Sequence, residues 1–482
     1  MSGNRILGGQ ADSPGRERHR ERLRFPSSYA HSRLQSHDTI ALLPGSTVRV
    51  KNDSHPSSGS TSFCDHNLAV ERSEKSGMTT YSIWPYFACT VFLLAIAASP
   101  LLKAADAPPN PRGARISTLD GLRGFLALGV FFHHAAFYHE YLLYRQWWLP
   151  SRFYTLLGHV GVAMFFMITG YLFWSRIVAE RNRLDWLQLY IGRVFRIGPL
   201  YLFAFASVLL IVFARGGWHL NVPISQFIKE LARWVSLGLF WPHDINNYEN
   251  TTLILAGVTW TLKFEWDFYL SLPLLALVAS RPKVHLPFSV GALMISLAYL
   301  GMPHEPTLRA ISIAWFLTGM TCGSLAYNGM TAKIRDSLAS IIVGTLICTI
   351  FIAFDSGYNI GVTMLLGGAF YLLSSGCSFF GLLTSRPARR LGNVSYGIYL
   401  LQGLVLTVVL SVHWARSTAL RSPLGHWSVI LLCAVLLVVV ATVTHVGIER
   451  TGIDLGKRLG RAVRARNPLA FQTGLKTSAK RG

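Results

Sequence analysis

The stretch ISTLDGLRGFLALGVFFHHAAFYHEY, residues 116–141, decides the class of this protein. Its centre is apolar and long enough to cross a bilayer as a helix. Yet Arg123 stands near one end, and His133 and His134 near the other. Ionisable residues inside such a span are costly and mark function by default. Arg123 and His134 are eleven positions apart, and at about 100° per residue eleven steps return to nearly the same face about 16 Å further along. Arg123 is therefore expected at the cytoplasmic mouth of a groove, with His134 deep on the same stripe. His133 points about 100° away. The plainer reading lets Arg123 snorkel to headgroups and His134 bond a backbone carbonyl. Their pairing on one stripe, beside LDGLRG, weighs against it.

The rest of the chain repeats the apolar theme. Of 482 residues 51% are apolar and only 14% charged, against about a quarter charged in soluble domains. Mean hydropathy is +0.37. This excludes an ordinary globular protein and predicts an all-α polytopic membrane protein. From Asp120 onward we count about ten apolar runs, roughly 120–138, 154–176, 195–213, 263–279, 286–301, 309–327, 338–354, 360–381, 395–413 and 427–448. Net charge is +22. In a soluble protein that would point to nucleic acid. Here the basic residues fall in alternate gaps: Arg176, Arg181, Arg183, Arg193 and Arg196; Arg281 and Lys283; Lys333 and Arg335; Arg386, Arg389 and Arg390; then Arg450 through Arg466. That is the positive-inside pattern, which makes these gaps cytoplasmic and membrane lipids their partner. Arg416 and Arg421 are exceptions. The longest gap, about 214–262, is placed outside, where it is expected to cap an outward-facing cavity. Six scattered cysteines, without CxxC spacing, read as small buried residues.

Residues 1–77 are rich in Ser, Arg, His and Gly and lack apolar periodicity. They read as a disordered tail or as a misassigned start, with Met78 a sensible beginning. Residues 78–110 read as one extra transmembrane helix (Ile83–Leu102) and a linker. AADA before PPNPRGAR resembles a signal-peptide cleavage region, but a basic n-region is missing if the chain starts at Met78, so a retained helix is preferred. Residues 451–482 read as a basic cytoplasmic tail.

Further polar groups interrupt the apolar runs. Gly158, Gly161 and Gly170 suit close helix packing. Arg193 and Arg196 in YIGRVFRIGPLY are helical neighbours at the cytoplasmic boundary, a phosphate clamp or headgroup contacts. Glu265 in VTWTLKFEWDFYL, near the outer end of its run, needs a partner, and a histidine is a natural one. The late stretch RRLGNVSYGIYLLQGLVL brings Ser395, Tyr396, Tyr399 and Gln402, mostly read as packing. Glu449 and Arg450 are expected to neutralise each other.

These residues, in this order, resemble the acyltransferase-3 family of integral membrane acyltransferases. The stretches are LDGLRGFLALGVFFHHA, GVAMFFMITGYLF, RVFRIGPLY, WTLKFEWDFYL and LGNVSYGIYLLQ, within residues 115–450. The first is the most specific; the others are weak singly and strong as a set. The resemblance implies about ten transmembrane helices and transfer of an acyl group, usually acetyl from cytoplasmic acetyl-CoA, to a hydroxyl of a surface polysaccharide, lipopolysaccharide or related glycan. By position it implies that Arg123 and His134 are the essential pair, that Arg193 and Arg196 form the Arg-x-x-Arg element, and that Glu265 is the recurrent acid. Asp120, Trp260 and Tyr399 fall in the same motifs as supporting residues. Gln402 stands where the family often has histidine, and no hydrolase-like domain follows the core.

The mechanism expected is docking of acyl-CoA from the cytoplasm, its phosphates on Arg123, Arg193 and Arg196, and His134 as general base on the acceptor hydroxyl with Glu265 holding the imidazolium. An acetyl-histidine intermediate is a variant. No bound cofactor and no metal are expected, and acetyl-CoA is a co-substrate. The implied acceptor is a glycan or lipid-linked sugar, and the implied location a bacterial inner membrane. A rival reading is a transporter or flippase of a lipid-linked sugar or small metabolite, which also uses buried Arg, His and Glu. We find no convincing internal repeat to support it. A non-catalytic scaffold fits the ionisable stripe poorly.

Overall fold

The computed structural model describes residues 79–106, 116–303 and 307–466. The expectations for residues 1–77, for most of the linker and for residues 467–482 lie outside them, as does Cys64. The described residues form α1 (Trp84–Ala98), α2 (Ser117–Tyr144), α3 (Arg152–Glu180), α4 (Trp186–Gly216), α5 (Ile224–Val235), α6 (Trp260–Ala279), α7 (His285–Leu300), α8 (Leu308–Tyr327), α9 (Asp336–Ala353), α10 (Ile360–Ser374), α11 (Arg386–Asn393), α12 (Ser395–Val409), α13 (His413–Arg421), α14 (Pro423–Thr444) and α15 (Arg450–Arg466). A π turn, His445–Glu449, joins the last two.

All ten apolar runs are helical over most of their length. Among the described residues five helical stretches are each long and apolar enough to cross a membrane: α3, α4, α8, α9 and the continuous run from Pro423. The pair α11–α12, bent by 66°, makes a sixth. α1, α7 and α10 are apolar but shorter. α2 and α6 carry the ionisable residues. α10 stops at Ser374, short of its predicted end, because the chain turns there. Gly376 has φ +110°, and Asp336 accepts hydrogen bonds from the Ser378 amide and hydroxyl, both at 2.6 Å.

Small residues set the helix spacing. A methyl group on Gly392 of α11 would lie 1.7 Å from the Asp120 carbonyl oxygen of α2, and one on Gly319 of α8 would lie 2.0 Å from that of Met167 in α3. Such approach maximises dispersion contacts where lipid offers no hydrophobic drive. Gly158 and Gly161 meet His133 and Val130 of α2 in the same way, and Gly170 meets Phe316 of α8.

α1 is bonded to the core at both ends. On one side Trp427 donates to the Thr80 carbonyl, Tyr154 to that of Ser82, and Tyr81 to Glu140. On the other, Arg390, 2% exposed, caps the last carbonyls of the helix (Ala97 at 2.8 Å, Ser99 at 2.7 Å) and pairs with Asp106. The C-terminal carbonyls of a helix are left without intrahelical donors, and a cation there also meets the negative dipole end. The Arg390 guanidinium, aided by Arg386, holds the Asp106 carboxyl well below the usual carboxylate range.

Two expectations are corrected. Residues 450–466 are no loose tail. They form α15, whose Gly452, Gly456 and Gly460 lie against Pro199, Phe195 and Gln188 of α4. The i, i+4, i+8 glycines make one smooth face, which the basic composition hides. Nor is all of 214–262 an outer cap. The Leu237 side chain reaches Gly198 midway along α4, and its carbonyl accepts from Trp266 at 2.8 Å. Leu255 and Ala256 pass against Gly403 of α12. Irregular backbone is tolerated at that depth where protein buries and satisfies it.

Candidate active site

His134 lies about 26 Å along α2 from its first residue, at 1.5 Å per residue. Its Nδ1 is 3.0 Å from the Val130 carbonyl oxygen one turn back. A carbonyl only accepts, so Nδ1 carries the hydrogen and Nε2 keeps its lone pair. This is the tautomer a general base requires. The plainer sequence reading, a histidine bonded to a carbonyl, is therefore true of Nδ1. Around the ring stand His133 at 4.8 Å, Trp147 at 6.4 Å and, from α12, Gln402. His133 is held by the Tyr154 carbonyl at 2.8 Å, and His159 of α3 completes a trio, 6.0 Å from His133. His159 accepts from the Gly357 amide and stacks on Tyr358 at 4.0 Å. It was missed in the sequence although it carries the same signal as His134, an ionisable side chain within an apolar run.

The arginines do not form a bare clamp. Arg123 pairs with Asp120, one turn away. Arg193 lies 4.9 Å above the Phe173 ring, within electrostatic reach of Glu265 and Tyr269. Glu265 accepts from the Tyr269 hydroxyl at 2.8 Å. It stands five residues into α6, at the level of Arg193, and its partners are Arg193 and Tyr269 instead of a histidine. Arg196 pairs with Glu449, which is 0% exposed. Glu449 does not neutralise Arg450: adjacent helical residues point about 100° apart. Arg450 instead donates to His445 Nε2 at 3.2 Å and to the Asp106 carbonyl at 2.7 Å, while His445 Nδ1 stands 3.0 Å from Glu449. The π turn that carries His445 and Glu449 is of a kind frequent at functional sites.

α12 links these two groups. The Tyr396 hydroxyl donates to the Ile197 carbonyl at 2.9 Å, within reach of Glu449, Glu265 and Arg196. One turn on, Tyr399 meets Thr261 at 3.0 Å. Gln402 donates to the Tyr399 carbonyl at 2.9 Å and faces His134. Thr407 meets the Tyr138 hydroxyl at 2.8 Å, one turn beyond His134. The polar row between arginines and histidine therefore includes α12 as well as the predicted stripe on α2. Trp260 packs on Phe166 and Phe264, a structural place. Among the described residues no three His, Cys, Asp or Glu side chains group as metal ligands, and no disulfide forms.

A family model described as an acyltransferase domain, of the acyltransferase-3 family, matches residues 116–445, the whole span from α2 to the π turn. The chain belongs to that family. It is 25% identical over 366 residues to nodulation protein 10 of Rhizobium leguminosarum bv. viciae, covering 70% of this chain and 94% of that protein. It is 29% identical over 168 residues to the acyltransferase MdmB of Streptomyces mycarofaciens, covering 34% of this chain and 40% of MdmB. It is 27% identical over 161 residues to the O-acetyltransferase OatA of Staphylococcus aureus, covering 32% of this chain and 24% of OatA. The match thus spans nearly all of the nodulation protein and less than half of the other two. No solved structure matches the chain. The protein is an acyltransferase, and its apolar helices make it a multi-pass membrane protein of that family.

Proposed function

We propose that this acyltransferase moves an acetyl group from cytoplasmic acetyl-CoA to a hydroxyl of an exported or cell-surface glycan, with His134 as the base. The single observation that carries the reading is His134, its Nδ1 tied to Val130 and its ring faced by Gln402 at one end of a polar row. Similarity to an O-acetyltransferase supports acetyl as the group and a hydroxyl as the acceptor. All ten apolar runs cross the membrane, in the inner membrane of a bacterium, with the basic gaps in the cytoplasm. Acetyl-CoA docks there, its phosphates drawn to Arg123, Arg193 and Arg196. Glu265 and Glu449 act as positioning residues, since each holds one of these arginines in place.

At the centre, Nε2 of His134 takes the acceptor proton as the sugar oxygen attacks the thioester carbonyl. The C–O bond forms and the C–S bond breaks. The imidazolium then returns the proton to the departing CoA sulfur, so His134 ends neutral. Membranes carrying the protein, given radiolabelled acetyl-CoA, should place label on glycan or lipid-linked sugar. His134→Ala should lower this by about 10²–10⁴-fold, the usual worth of a general base, with folded protein retained. Transfer unchanged in that variant removes His134 from the mechanism.

A further inference from the structure

A cavity of about 430 Å³ lies between α5 and the loop that follows it, away from the polar row. Its wall is built before any ligand arrives. Asn246, Asn247 and Asn250 all take positive φ, a conformation asparagine tolerates. Trp234, fully buried, donates to the His243 carbonyl at 2.8 Å and stacks on Phe205. The two acids of the cavity keep their charge but turn oxygens onto this scaffold. Glu230 accepts from the Asn246 amide and from Gln226, each at 2.9 Å, and Asp244 accepts from the Thr251 amide at 2.9 Å. The two cations are not tied to it. Lys229 and Arg233, one helical turn apart and both exposed, have no ion pair among the described residues.

The helix also fixes which way the cavity faces. Ile224, Ile228 and Val235 are 60%, 57% and 51% exposed and share one stripe. At 100° per residue, Gln226, Lys229 and Arg233 fall about 150° from it. An apolar stripe of this kind lies in the membrane interface, so the cationic stripe turns away from lipid, toward water. The cavity is also tied to the reaction centre. Thr251, held by Asp244, opens the turn Thr251–Leu255, whose Leu253 carbonyl accepts from Tyr138, one turn from His134.

We propose that this cavity is a binding subsite for an anionic sugar unit of the acceptor, a uronate or a phosphate-bearing sugar. Lys229 and Arg233 take the anion, and Asn247 and His243 meet ring hydroxyls. The inference rests on the glycan reading above and narrows it.

The test uses the full chain in nanodiscs of neutral lipid, without acetyl-CoA, so binding is read whether or not transfer occurs. Titration calorimetry follows a glucuronate-containing disaccharide and its carboxyl-reduced form. The charged sugar is expected to bind at least tenfold tighter than the neutral one. The double variant Lys229→Gln, Arg233→Gln should erase that preference while leaving binding of the neutral sugar unchanged. Equal binding of the two sugars, or a preference kept in the variant, overturns the subsite. So does full loss of sugar binding when anionic lipid is added to the nanodisc, which would make this a headgroup site. Acetyl transfer seen alongside any of these leaves the glycan reading standing.

Discussion

His134 has one ring nitrogen engaged by backbone, and Gln402 is the polar side chain that faces the ring from the neighbouring helix. Gln402 is 0% exposed, its amide nitrogen is bound to the Tyr399 carbonyl, and its carbonyl oxygen has no partner. A buried acceptor left open costs free energy unless it serves something. We assign it to the imidazolium that forms during transfer, as a positioning residue. Gln402→Leu should lower kcat about 10-fold, in keeping with one lost hydrogen bond to a charged group at about 1.5 kcal/mol or more, and leave both KM values and Tm nearly unchanged. Gln402→His, which also offers an acceptor, should recover most of the rate. Equal losses in KM would mean Gln402 only shapes the site. Arg123 and His134 were legible because charge inside an apolar run needs a reason. That Arg193 and Arg196 would meet Glu265 and Glu449 was not, because the two arginines come from a different helix and only the fold brings them together.

At the scale of elements, α15 shows how composition misleads. Its charges announce a solvated tail, while its glycines form the face that docks on α4. A side-chain carbon on Gly456 would lie 2.7 Å from Cβ of Phe195, one residue before Arg196. Gly456→Leu should therefore push α15 off α4 and loosen the Arg196–Glu449 pair. Overpacking of this kind costs about 1–3 kcal/mol. The expected result is a lower Tm together with a several-fold higher KM for acetyl-CoA and an unchanged KM for the acceptor. Lys457→Leu, on an exposed position of the same helix, should do neither. A change in both KM values would show that α15 supports the whole fold and not the donor end. The helices themselves were legible because apolar runs of twenty residues have few alternatives. The inserted segment 236–259 was not, since its burial depends on Gly198 and Gly403 making room in distant helices.

For the whole molecule the quantity to measure is how many helices cross. Among the described residues length and apolarity alone admit five or six; the alternation of basic gaps asks for ten. The two counts differ at α2, α6, α7 and α10, and α6 is the one whose two flanking loops are most readily compared. If the lesser count holds, α6 does not cross, and the loops on either side of it share a compartment. If ten cross, α6 is a full span despite Lys263, Glu265 and Asp267, whose charges are met by one another and by Arg193 and Tyr269. Asn247 before it and Lys283 after it are both exposed, so single cysteines at these positions, in a chain cleared of its six native cysteines, report the answer. A membrane-impermeant maleimide on intact cells should label Asn247→Cys and spare Lys283→Cys until the membrane is opened. Labelling of both from outside would keep α6 on one side. It would then place Arg193 and Glu265 out of reach of a cytoplasmic donor, and the route from acetyl-CoA to His134 would have to be redrawn along α2 alone.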